Sequence, residues 1–118
     1  MNNYRELKVW QKSMELVELV YKLTYSFPKE ETYGLVSQAQ RCAISIPSNI
    51  AEGAGRSSNM EFKYFLSIAN GSLNELSTQL HLSKRIGYIN ENDAIEIFDL
   101  LTEVQKINFS LIKKFSNL

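Results

Sequence analysis

The run Gly53-Ala54-Gly55-Arg56-Ser57-Ser58 holds the residue types of a phosphate-cradling loop: glycines that let backbone approach a ligand, a guanidinium and two hydroxyls. It lacks the Gly-Lys-Ser/Thr ending of a Walker loop, and no strand precedes it. What is left is an anion site at the start of a helix. There, free backbone amides would join Arg56, Ser57, Ser58 and Lys63, with Arg41 as a further cation, to hold a group such as a nucleic-acid phosphate. Two uses compete with it. The run can be a plain turn with a helix cap, and Arg56 stands four residues after Glu52, the spacing of an ion pair along a helix.

The other reactive side chains do not converge. Cys42 and His81 are the single cysteine and histidine, and as a nucleophile and base they would have to meet. Cys42, however, falls on the apolar arc of its helix, where a thiol is buried and inert. His81 shares a polar arc with Asn70, Asn74 and Lys84, and Thr78 stands three residues before it, so the Glu-x-x-His pair of a di-iron bundle is missing. A serine triad through His81 has no strand-turn-helix to hold it. The aromatics Trp10, Tyr21, Phe62, Phe65 and Phe98 lie on core stripes, not interleaved with a basic groove as base stacking needs. No catalytic residue, metal ligand, cofactor or small-molecule substrate is expected, and the chain does not read as an enzyme.

The elements that carry these residues are helices. Five glycines and two prolines interrupt 118 residues, and apolar side chains recur three and four apart almost throughout. The first helix spans about Tyr4 to Phe27, with Leu7, Trp10, Met14, Val17 and Tyr21 as one stripe and Val9, Leu16, Val20, Leu23 and Phe27 as a second. The second begins near Gly34, and its apolar arc, from Leu35 and Val36 through Ala39, Cys42, Ala43 and Ile46 to Ile50, Ala51 and Ala54, keeps phase through Pro47. That continuity predicts one helix kinked at the proline, which removes a backbone bond at a cost of about 3 kcal/mol. Gly53 and Gly55 are read as its stop.

Ser58-Asn59-Met60-Glu61 has the form of a capping box that opens the third helix, which runs to about Ile86 before Gly87. Its core face is Phe62, Phe65, Leu66, Ala69, Leu73, Leu76 and Leu80. A stripe behind it holds Tyr64, Ile68, Gly71, Glu75, Leu82 and Ile86, with Gly71 where another backbone could approach. The fourth helix starts near Asn90 or Asn92, with acids early and Lys113 and Lys114 late, as the helix dipole favours. Short connections make an all-α, antiparallel up-and-down four-helix bundle, one domain over residues 1–118.

Thirteen basic and thirteen acidic residues cancel, so no whole-molecule field draws the chain to nucleic acid or membrane. Charged and amide residues interrupt every apolar run short of a membrane span. One cysteine and no signal-peptide pattern point to the reducing cytoplasm. The surplus apolar stripes would expose a large patch on a monomer unless a tightly wrapped bundle buries both faces of its central helices; of the two, self-association is expected, with Val9, Leu16, Val20, Tyr64, Ile68, Gly71, Leu82 and Ile86 as interface candidates.

The stretches "YRELKVWQKSMELVELVYKLTYSFPKEETYGL", "SIPSNIAEGAGRSS", "EFKYFLSIANGSLNELSTQL" and "GYI", in this order and spacing, resemble the 23S rRNA intervening-sequence proteins, some of which are encoded within insertions in bacterial ribosomal RNA genes. The resemblance covers about Tyr4 to Phe115. It implies a left-handed four-helix bundle, a ring-shaped homopentamer and no catalytic residues. The family signature falls on Ser45 to Gly53, Gly55 and Arg56. It continues at Glu61, Phe62, Phe65, Leu66, Ala69, Gly71, Ser72, Leu73, Glu75, Leu76 and Gln79. Relatives include the accessory protein of diversity-generating retroelements, a basic pentamer that binds a reverse transcriptase and RNA. RNA or a reverse-transcriptase-like enzyme is therefore an implied partner, although this chain, unlike that relative, carries no net charge.

Overall fold

In the computed structural model, which describes residues 3–116, four α-helices follow one another: α1 Lys8–Thr24, α2 Leu35–Ala54, α3 Asn59–Arg85 and α4 Glu91–Ser116. Single 3-10 turns at Tyr4–Glu6 and Lys29–Glu31 precede α1 and α2. Helices adjacent in sequence pack on one another, and α1 closes the square against α4, giving an antiparallel bundle of 45 × 24 × 20 Å. The 27 residues of α3, at about 1.5 Å each, span nearly its whole length.

The first helix starts later than its apolar pattern implies. Asn3 Oδ1 accepts from the Arg5 amide at 3.1 Å, fixing a 3-10 turn, and Leu7 is extended (φ −74°, ψ 126°) before α1 begins at Lys8. Its two apolar stripes are also sorted in a way that periodicity does not reveal. Val9, Leu16 and Val20 are fully buried, with Leu23 and Phe27 alongside, whereas Met14 and Tyr21 are exposed and Trp10 and Val17 half-buried. Compact aliphatics fill a close-packed centre. The larger Trp10 and Met14 line a more open flank along α2. Val9, Leu16 and Val20 therefore cannot line an interface between copies, which corrects that expectation.

Helix α2 runs unbroken through buried Pro47. The ring deprives the Ala43 carbonyl of its usual amide donor. Polar side chains add bonds around that turn: Ser45 Oγ donates to the Cys42 carbonyl at 2.9 Å, and Asn49 Nδ2 to the Ser45 carbonyl at 2.7 Å. Burial of Ile46 and Ile50 on either side offsets the lost bond.

Gly53 is not a stop. It lies inside α2, fully enclosed, and a Cβ there would come within 2.7 Å of Phe65 Cβ and 3.0 Å of Phe62 Cδ1. The glycine lets α2 and α3 touch near their shared end. Helix α2 ends at Ala54, with Gly55 as its C-cap at a φ of −85° that any residue adopts. Gly87 does need its freedom: at φ +89° it closes α3 in a Schellman motif, with the Tyr88 amide on the Ser83 carbonyl at 2.9 Å and the Gly87 amide on Lys84 at 3.1 Å.

A polar tie crosses the core between α3 and α4. Asn108 of α4, fully buried, donates from Nδ2 to the Leu66 carbonyl of α3 at 3.0 Å, while its Oδ1 has no partner. At the far end, Tyr88 donates to Glu31 Oε2 at 3.0 Å and packs on Phe27 with ring centroids 5.2 Å apart, joining the two interhelix connections there.

Candidate functional site

The Gly53–Ser58 run connects α2 to α3, and its hydroxyls are already engaged. Ser58 is the N-cap of α3, extended at φ −135°, with Oγ accepting from the Glu61 amide at 3.1 Å. The Glu61 carboxylate turns back and accepts from Ser58 Oγ at 3.1 Å and from Ser57 Oγ at 3.2 Å. The capping box thus supplies an anion of its own to this helix start. Arg56 is held likewise: Nη2 lies 3.7 Å from Glu52 Oε2, and the guanidinium sits over the Phe65 ring at 4.9 Å. Of the two competing uses read from the spacing, the cap and the Glu52 pair are both present.

Lys63 stands just past the first turn of α3, half-buried along its stem. Arg41 is remote from the others. It lies fifteen residues before Arg56 on α2, about 22 Å along the axis, and lines a shallow polar groove against α3 with Cys42, Ser45, Ser72 and Glu75. The loop therefore gathers Arg56, Ser57, Ser58 and, one turn on, Lys63, while Arg41 belongs to a different part of the surface.

Cys42 is buried and donates from Sγ to the Ser72 carbonyl at 3.0 Å. Burial first, and then the nearby Glu75 carboxylate, push its thiol up to about 11 from an ordinary 9, against the opposing pull of the Leu76 backbone. At neutral pH the group is a protonated thiol, not a nucleophile. His81 lies exposed on α3 and stacks on Phe98 at 4.3 Å between ring centroids, on the α4 side, away from Cys42. Among the described residues no group of three or more His, Cys, Asp or Glu could hold a metal ion.

The stripe behind the core face of α3 is open to solvent. Tyr64 is 63% exposed and Leu82 48%, with Ile68 and Ile86 also exposed. A Cβ on Gly71 would meet nothing within 4 Å, so no other element of the protomer approaches there. A second apolar surface escaped the sequence reading: Trp10, Met14 and Val17 of α1 form a groove with Ile44, Pro47 and Ala51 of α2. Its available signal was Ile44, a lone isoleucine on an otherwise polar arc.

These features define an all-α four-helix bundle with two apolar flanks and a self-capped interhelix loop. A family model for the 23S rRNA-intervening sequence protein matches residues 5–110, and the chain belongs to that family. Its fold is similar to a crystal structure of a protein with unknown function from the S23 ribosomal protein family of Bacteroides thetaiotaomicron VPI-5482. The two share 30% identity and a TM-score of 0.79 over 89% of this chain and 95% of that one. No curated protein matches the chain. Among the described residues no helix is long and apolar enough to cross a membrane.

Proposed function

We propose that this protein is a non-enzymatic, self-associating binding or scaffold protein whose contacts between copies run along the outer flank of α3. The supporting observation is the exposed row Tyr64, Ile68, Leu82 and Ile86, interrupted by Gly71, on a helix whose opposite face is already buried. Gly71 and the exposed Glu75 divide the row into two apolar patches, Tyr64 with Ile68 and Leu82 with Ile86, and exposed patches of this kind mark an interaction surface. The family resemblance supports a homopentamer as the form of that assembly, and the buried, protonated Cys42 suits the reducing cytoplasm. Light scattering across a size-exclusion column tests it. Wild type should elute as an oligomer at micromolar concentration, and Ile68→Glu with Leu82→Glu should reduce it to a folded monomer. A wild-type monomer would refute it.

A second reading, contact with RNA or with a nucleic-acid enzyme of the reverse-transcriptase kind, is favoured by one observation. Although the chain is neutral, one end of the bundle carries six cations against three acids. The purely structural oligomer, with no nucleic-acid role, is the alternative that RNA binding would exclude.

A further inference from the structure

The end formed by the Tyr4–Glu6 turn, the α2–α3 loop and the last turn of α4 carries Arg5, Lys8, Arg56, Lys63, Lys113 and Lys114 against Glu6, Glu52 and Glu61. The opposite end, around the α1–α2 and α3–α4 connections, has Lys22, Lys29, Lys84 and Arg85 against Glu30, Glu31, Glu91, Asp93 and Glu96. The basic segments are brought together by packing. Phe115 lies on Phe62 with ring centroids 5.2 Å apart, and Tyr4 packs on Trp10 at 5.3 Å and borders Ser48 and Ala51 of α2.

Two of the three acids at this end are engaged: Glu52 with Arg56, and Glu61 in the α3 cap. Among the described residues no ion pair reaches Arg5, Lys8, Lys63, Lys113 or Lys114. Lys8 opens α1, whose first turn holds no acid, although a helix start favours anions. Local stability does not explain a cation there.

We propose that this basic end docks the phosphate backbone of a single-stranded nucleic acid. The proposal rests on the second reading above and assigns it a surface. Helix termini and a tight loop offer no protruding helix for a duplex groove. A lipid surface would need an apolar face to insert; at this end Met60 and Tyr64 are exposed, but Tyr4 is paired with Trp10 and Phe62 with Phe115, so vesicle binding is one arm of the test. A strand held through its phosphates alone needs neither.

The test is fluorescence anisotropy of a labelled 20-nucleotide oligouridylate titrated with the full chain from 20 to 300 mM salt. Five unpaired cations set an upper slope of about −3.5 in log affinity against log salt for a single strand. Lys113→Glu with Lys114→Glu should weaken binding roughly tenfold or more and lower the slope by about 1.4. Lys22→Glu with Lys29→Glu, the same charge change at the other end, should stay within about twofold of wild type, with circular dichroism melts verifying that each variant folds. Equal loss in both pairs would mean that RNA binds, but not at this end. No binding at 20 mM salt would overturn the second reading as well. Lysine-dependent binding to phosphatidylserine vesicles without RNA binding would overturn the proposal in favour of a membrane.

Discussion

Replacing Gly71 with alanine should strengthen the protomer, replacing it with leucine should weaken self-association, and the two effects can be measured apart. Gly71 sits in the middle of a 27-residue helix, where glycine is less favourable than alanine by about 1 kcal/mol. The added methyl meets nothing within 4 Å, so no clash offsets that gain. Gly71→Ala should therefore raise the unfolding free energy of the monomer by about 0.5–1 kcal/mol. At a urea slope of about 1.5 kcal/mol/M this moves the midpoint by roughly 0.3–0.7 M with the slope unchanged. The assay is urea unfolding below the concentration at which the chain assembles, since association would add its own stabilisation. On the proposed contact between copies, Gly71 lies between Ile68 and Leu82, where a second backbone could approach, and Gly71→Leu should raise the dissociation constant by about tenfold or more. Destabilisation of the monomer by Gly71→Ala would refute the packing reasoning, and an unchanged dissociation constant in Gly71→Leu would remove Gly71 from the interface.

Three further outcomes follow from the interior. Gly53→Ala should destabilise the fold by at least about 1–3 kcal/mol, because its methyl collides with the backbone-anchored Cβ of Phe65 at 2.7 Å; a thermal melt within a degree of wild type would contradict this. Cys42 has a folded pKa raised from 9 to about 11, so its contribution is fully present below pH 9 and is lost as pH rises through 11. Two units correspond to about 2.7 kcal/mol, which screening near the helix edge cuts to on the order of 1 kcal/mol; Cys42→Ala should flatten urea-measured stability between pH 9 and 11 relative to wild type, and identical profiles would count against it. Asn108→Leu removes a buried oxygen without a partner and should leave stability equal or raise it by on the order of 1 kcal/mol, so a loss above that in chemical denaturation would show the Leu66 bond to be worth more than the orphaned oxygen costs.

The helices were legible because apolar spacing, the Ser58–Glu61 box and Gly87 are local signals that the structure uses locally. What escaped were choices that only packing makes. Val9, Leu16 and Val20 have the same period as Trp10, Met14 and Val17, so the wheel shows two stripes and cannot say which one meets α2, α3 and α4; side-chain shape decides. Gly53 reads equally as a helix end or a close contact, and the partner that distinguishes them, Phe65, lies on another helix. For the loop, the residues of an anion site were all present in the sequence, but the anion that engages Ser57 and Ser58 is Glu61, which the capping box already implied. Arg41 and Arg56 looked like neighbours only while the length of α2 was ignored.

Native mass measurement of the wild-type chain at micromolar concentration tests the central claim most directly. The exposed flank of α3 and the family resemblance predict a single species of five protomers of 13.6 kDa each, and a chain that remains at 13.6 kDa would contradict them.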